Sequence, residues 1–124
     1  MKIYICETCG NIAVKLTDSG VPMVCCGKPM ALLEAGVKDA AVEKHVPAVT
    51  AEGNVIRAAV GAVAHPMTEE HHIAWVLLET ENGFQVRRLK PGQAPEAVFI
   101  LADGEKAAAV YAYCNLHGLW KTAL

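Results

Sequence analysis

Apolar residues in this chain come in short runs cut by turn residues, a rhythm of strands rather than of helices. Near the N-terminus Ile3-Tyr4-Ile5 reads as a short strand, Cys9-Gly10-Asn11 as a turn, and Ile12 to Leu16 as a second strand. Asp18-Ser19-Gly20 is another turn, followed by Val21 to Val24 running into Cys25. From about residue 40 the predicted strands are Val42 to Val46, Asn54 to Val63, Ile73 to Thr80, Phe84 to Leu89, Ala97 to Leu101 and Ala108 to Cys114. Glu81-Asn82-Gly83 is a hairpin signal, and Pro91-Gly92 and Asp103-Gly104 mark further turns. Alanine is frequent for a sheet, so helix competes over Ala31 to Val42 and Ala107 to Tyr113. The turn spacing outweighs it: the pattern predicts an all-β protein, a sandwich or barrel behind a small N-terminal module.

Composition narrows the class. In 124 residues, 53% hydrophobic, a self-sufficient core is available. A net charge of -2 gives no basic footprint for nucleic acid, and no apolar run reaches the roughly 20 residues that span a bilayer. The N-terminus reaches Cys6 too soon to hold a signal-peptide core, so a cytoplasmic location is expected. In that compartment thiols stay reduced, and clustered cysteines read as metal or redox sites.

All five cysteines, and four of the five histidines, fall into two groups. Cys6-x-x-Cys9 puts two thiolates on one tight loop, and Cys25-Cys26 follow after fifteen residues. Four thiolates hold structural zinc or a single iron. Adjacent cysteines share an ion only if the backbone turns sharply, which Gly27 would help. A disulfide between neighbours would be strained, and no βαβ pattern supports a thioredoxin-like motif. A segment this small has little core of its own, and a metal staple is expected.

The second group is scattered: His45, His65, His71, then Cys114-x-x-His117. A histidine taken alone is more often a surface or hydrogen-bonded residue than a ligand. Four imidazoles with one thiolate, however, exceed the four ligands usual for structural zinc. That number suits iron with one position open, opposite a thiolate that pushes electron density toward it.

These residues resemble the desulfoferrodoxin family of superoxide reductases nearly end to end. Cys6-Glu7-Thr8-Cys9-Gly10 and Val24-Cys25-Cys26-Gly27-Lys28-Pro29-Met30 are similar to its desulforedoxin-like module. Glu43-Lys44-His45-Val46-Pro47, His65-Pro66-Met67, His71-x-Ile73-x-Trp75 and Cys114-Asn115-Leu116-His117-Gly118-Leu119-Trp120 are similar to its catalytic module. The resemblance implies a four-cysteine iron domain over residues 1-36 and an immunoglobulin-like β-sandwich over 37-124. It also implies two irons per chain and a homodimer. His45, His65, His71 and His117 would be equatorial ligands and Cys114 the axial one. Glu43 would be the carboxylate that takes the sixth position in the ferric resting state, and Lys44 the cation beside it. In a regular strand Glu43 and Lys44 would point to opposite faces, so both serve the site only if the segment is a loop. The implied reaction is one-electron reduction of superoxide to hydrogen peroxide, with a rubredoxin-like donor, in an organism sensitive to oxygen.

One departure concerns the residue after His71, usually aromatic in that family and here His72, which makes His72 the alternative ligand. Trp75 and Trp120 read as core or site-wall residues. The competing functions are a rubredoxin-type electron carrier, in which only the four-cysteine iron works, and a zinc-stapled binding module without catalysis. Retention of every ligand of the second group argues against the carrier, since a docking platform would not need them.

Overall fold

A computed structural model describes residues 1–124. The chain is nearly all β, with 3% helix and 44% strand. Its contacts separate into two units, Met1–Glu34 and Ala35–Leu124.

The first unit is built from strands of two residues each: β1 (Tyr4–Ile5), β2 (Ile12–Ala13), β3 (Val24–Cys25), β4 (Lys28–Pro29) and β5 (Ala31–Leu32). β1 is the middle of an antiparallel sheet ordered β2-β1-β5, and β3 pairs with β4. Only Ile3 and Cys6 are buried in this unit. So little apolar burial, at roughly 25 cal/mol per Å2, cannot offset the ordering of thirty residues. The strands are shorter than the apolar runs suggested, because Lys15 and Leu16 leave the sheet. Residues Ala31 to Ala41 form no helix: β5 takes the first two, turns follow, and helix begins only at Val42.

The second unit is a sandwich. A single helical turn, α1 (Val42–His45), leads into β6 (Pro47–Glu52), β7 (Val55–Val60), β8 (Ile73–Thr80) and β9 (Phe84–Arg88). β10 (Glu96–Ile100), β11 (Ala107–Cys114) and β12 (Gly118–Ala123) complete it. One sheet is ordered β10-β7-β6 and the other β12-β11-β8-β9, all pairs antiparallel. Seven antiparallel strands in two layers are the immunoglobulin-like arrangement. Ile56, Ala58 and Val60 of β7 and Ala97 and Phe99 of β10 face Val76 and Leu78 of β8 and Val110 and Ala112 of β11. Arg57, Val98 and Ile100 alternate outward, as a half-buried sheet requires. Phe99 is fully buried, and truncating such a ring costs about 3–5 kcal/mol.

Three differences from the sequence pattern, and one strand that held against the competing helix, have physical causes. Val42 to Val46 is helical, not extended: Val46 N–H donates to Val42 O at 3.0 Å and closes one turn. Ala107 to Cys114 is a strand despite its alanines, because pairing with β8 and β12 on both sides overrides propensity. β6 was hidden by its leading Pro47, whose missing N–H is tolerated at a strand start. β12 was hidden by Gly118, read only as a turn. The Glu81-Asn82-Gly83 hairpin joins β8 and β9, with Thr80 N–H donating to Gly83 O at 2.8 Å.

Register places the ends of six elements together. Pro47 pairs with Val60, and Cys114 pairs with both Ile73 and Gly118. The C-terminus of α1, the loop after β7, the loop before β8 and the β11–β12 turn therefore gather at one end of the sandwich. No helix is long and apolar enough to cross a membrane.

Candidate metal centres

In the first unit, Cys6, Cys9, Cys25 and Cys26 bring their sulfurs within 4.8 Å of one another. Cys9 and Cys25 Sγ are 3.5 Å apart. The local chain explains how adjacent cysteines converge. Cys26 and Gly27 form the two-residue loop between β3 and β4, with φ of +52° and +74°. Positive φ at both positions is the type I′ hairpin turn. Gly27 adopts it freely, whereas Cys26 is a non-glycine residue in the left-handed region, at a cost of roughly 1–2 kcal/mol.

The donor set asks for a cation. Cys9 N–H donates to Cys6 Sγ at 3.5 Å. Backbone N–H groups, that of Cys9 foremost, lower the Cys6 thiol to about 6. Cys26 is pushed up to about 12, chiefly by hydrogen bonding to the Cys9 thiol and then to Cys6 and Cys25. One thiolate forms readily and the next ones resist, so four thiolates need a positive ion among them. Cys9 and Cys26 are exposed while Cys6 is buried, which leaves one edge of this centre at the surface.

In the second unit four imidazoles form a ring. The centroids of His45–His65, His65–His71, His71–His117 and His117–His45 are 4.6, 4.6, 5.0 and 4.9 Å apart, and His45 stands 6.2 Å from His71. Cys114, fully buried at the end of β11, places Sγ 3.8 Å from His117 Nδ1. His45, His65, His71 and Cys114 offer donor atoms within 4.8 Å of one another. His72 points elsewhere, with Nδ1 2.9 Å from Thr68 O.

The hydrogen bonds make this a metal site rather than a polar network. His45 Nδ1 meets Ala41 O at 2.7 Å, and His65 Nδ1 meets Pro66 O at 2.6 Å. A carbonyl only accepts, so both Nδ1 atoms carry the proton and both Nε2 atoms present lone pairs. Yet these two Nε2 atoms lie 3.1 Å apart, and His45 Nε2 is also 3.1 Å from His117 Nδ1. Two lone pairs at that distance repel unless a cation lies between them. Nitrogens about 2.1 Å from one ion and at right angles to each other are about 3 Å apart. His71 Nε2 is buried with no hydrogen-bond partner, the open valence such an ion would fill.

Burial keeps the imidazoles ready. Desolvation lowers His65 to about 4, and desolvation first, then neighbouring charges including Lys44, lowers His45 and His71. Neutral imidazole is the form that binds metal. Trp120 walls the site, its ring 5.0 Å from that of His45 and its Nε1–H donating to His117 O at 3.0 Å. Trp75 instead stacks on Tyr113 at 5.4 Å.

Lys44 and Glu43 ride on α1 beside His45. Lys44 is half-buried, whereas Glu43 is exposed and its carboxylate pairs with none of the donor residues. Three residues escaped the sequence reading. Gly61 packs under α1, where a Cβ would meet Glu43 O at 2.6 Å and Val46 O at 2.8 Å. Thr68 and Asn115 bond the backbone around His71. Asn115 lay inside the Cys114-x-x-His117 motif, but only the folded loops reveal its partners.

Residues 37–123 match the family description Desulfoferrodoxin, and residues 1–33 match Desulfoferrodoxin, N-terminal domain. The chain belongs to the desulfoferrodoxin family. Curated desulfoferrodoxins are similar along nearly the whole length. That of Nitratidesulfovibrio vulgaris is 48% identical, over 97% of this chain and 94% of its own. A desulfoferrodoxin homolog of Archaeoglobus fulgidus is 42% identical, over 98% and 96%. The superoxide reductase of Treponema pallidum superposes with a TM-score of 0.81 at 35% identity, covering 98% of this chain and 99% of that one. A one-iron superoxide reductase from Giardia intestinalis covers 66% of this chain and 97% of its own, with a TM-score of 0.57 at 35% identity. Both donor sets fit the two iron centres of desulfoferrodoxins.

Proposed function

We propose that this desulfoferrodoxin is a superoxide reductase, converting superoxide, one electron and two protons into hydrogen peroxide. The observation that carries it is the ring of four imidazoles with Cys114 beside it, where His45 and His65 turn unprotonated nitrogens toward each other at 3.1 Å. His45, His65, His71, His117 and Cys114 would hold one iron, and Cys6, Cys9, Cys25 and Cys26 the other. When bound, the first of these irons supplies the single electron, and the Cys114 thiolate favours its oxidised state.

The remaining work falls to the chain. Lys44, half-buried on the turn that carries His45, is a compact positive charge that draws an anion of superoxide's size toward the imidazole ring. Its ammonium also orients the incoming oxygen atoms and donates hydrogen bonds as negative charge builds. Glu43 is the proposed resting-state ligand. The helical turn leaves it exposed, so its carboxylate would have to swing inward for that role. Buried Ile73, Val60 and Trp120 limit water around the donors. The exposed Cys9–Cys26 edge suits electron entry from a rubredoxin-like partner. A cytoplasmic homodimer in an oxygen-sensitive cell completes the proposal.

Metal analysis together with stopped-flow superoxide consumption tests it. The expected result is two irons per chain and one peroxide per superoxide consumed, with no oxygen returned. Zinc in the histidine centre, or oxygen release at half the superoxide consumed, would sink it.

A further inference from the structure

His45 and His65 are each oriented by a hydrogen bond from the ring to a backbone carbonyl. His71 has no such bond: its buried Nε2 is without a hydrogen-bond partner. It also sits on a loop, where only packing against the His65 and His117 rings, and no hydrogen bond, sets the ring's orientation. Something else must hold it.

The backbone on both sides of His71 is tied to one side chain. Asn115 Oδ1 accepts from His72 N–H at 2.9 Å, and Asn115 Nδ2 donates to Glu70 O at 3.0 Å. Asn115 N–H adds a bond to His72 O at 3.2 Å. On the opposite side Thr68 Oγ1 accepts from His71 N–H at 3.1 Å, while Thr68 N–H donates to His71 O at 2.9 Å. An asparagine presents an acceptor and a donor on one planar group, and here they reach the residues immediately before and after the histidine. Asn115 itself lies in the three-residue turn between Cys114 and Gly118, the turn that carries His117.

From this geometry we infer that Asn115 is a positioning residue that locks His71 to the Cys114–His117 turn, in place of the ring hydrogen bond that His71 lacks. The inference rests on the proposed reading of His71 as an iron ligand. Asn115 touches no substrate; it acts through the backbone of Glu70 and His72. Loss of a ligand's outer support typically weakens metal binding by about 10- to 100-fold.

The experiment is a double-mutant cycle on the full iron-loaded chain, reading the rate at which the histidine centre yields iron to a chelator. Thermal unfolding of the metal-free protein is followed alongside. Asn115→Ala is expected to speed release about 10-fold or more with little change in unfolding temperature, and to add almost nothing in a His71→Ala background. Wild-type release in Asn115→Ala overturns the inference. So does an equal acceleration in both backgrounds, which would put the effect in the turn rather than in His71. If His71→Ala alone leaves release unchanged, the ligand reading of His71 has failed instead. Should Asn115→Ala not fold, Asn115→Asp decides, because it keeps the acceptor for His72 N–H and loses the donor to Glu70 O. Faster release that depends on His71 supports the clamp, and unchanged release defeats it.

Discussion

The two centres differ in what the surrounding chain contributes. The four cysteines lie in a unit with two buried residues and strands two residues long, so an ion held by the thiolates would supply the cohesion that so small an interior lacks. The histidine ring sits at the end of a sandwich whose core is complete without it, from Ile56 and Phe99 to Val110. One fold depends on its metal and the other presents a site to it. The hydrogen bonds show the same contrast. Nitrogens of the second centre are aimed by carbonyls of Ala41 and Pro66 on the far side of each ring, whereas the sulfurs of the first, set by tight turns, themselves accept from Cys9 N–H and Asn11 Nδ2.

The sharpest way to break this comparison is to empty one centre at a time. Cys9→Ser should unfold residues 1–34 while amide exchange in β7, β8 and β11 stays slow. Superoxide consumption with an artificial donor should also survive. Equal exchange loss in both units would mean that the sandwich is not self-sufficient. Cys114→Ser should do the reverse, removing the visible thiolate-to-iron band and activity but leaving residues 1–34 protected.

Lys44→Ala comes next in size. Removing one steering charge should slow superoxide capture roughly tenfold at low ionic strength and flatten its salt dependence, with the spectrum nearly intact. A rate equal to wild type at every salt concentration would take Lys44 out of the mechanism.

Gly61→Ala tests how firmly the sandwich holds its ligands. A methyl group there meets the backbone oxygens of Glu43 and Val46, neither of which can rotate away as a side chain would. Overpacking of this kind costs about 1–3 kcal/mol and should shift α1, and with it His45 and Lys44. A crystal structure of the variant with α1 unmoved would contradict this.

The last test concerns acid. His65 is lowered to about 4 in the folded chain, against about 6.5 for a free histidine. Between these values the unfolded chain binds more protons, so stability of the metal-free sandwich should fall as pH drops from 6.5 toward 4 and level off below. Denaturant midpoints across that range, in wild type and His65→Gln, give the check. Identical slopes in the two would remove His65 as the cause.

Both ligand sets were legible because spacing and residue type survive without knowledge of the fold. The hairpin at Glu81-Asn82-Gly83 and the all-β class were legible for the same reason. Boundaries were less so. Val42 and Val46 are β-branched and read as strand, yet the turn between them closes through Val46 N–H and through the His45 ring reaching Ala41 O, which no propensity encodes. β11 shows the converse, with alanines made into strand by partners more than twenty residues away. Asn115 was visible in its motif but mute, since its partners Glu70 and His72 become neighbours only after β8 and β11 pair.

The separation of His45 from His117, 72 positions along the chain, sets an order of events in time. During synthesis the thiolate set is complete once Cys26 has emerged, before any strand of the sandwich exists. The imidazole ring has to wait for its last donor and for β8 to find β11. Ion capture at the thiolates can thus accompany the first moments of folding, whereas the histidine centre can be filled only in a chain that has already folded.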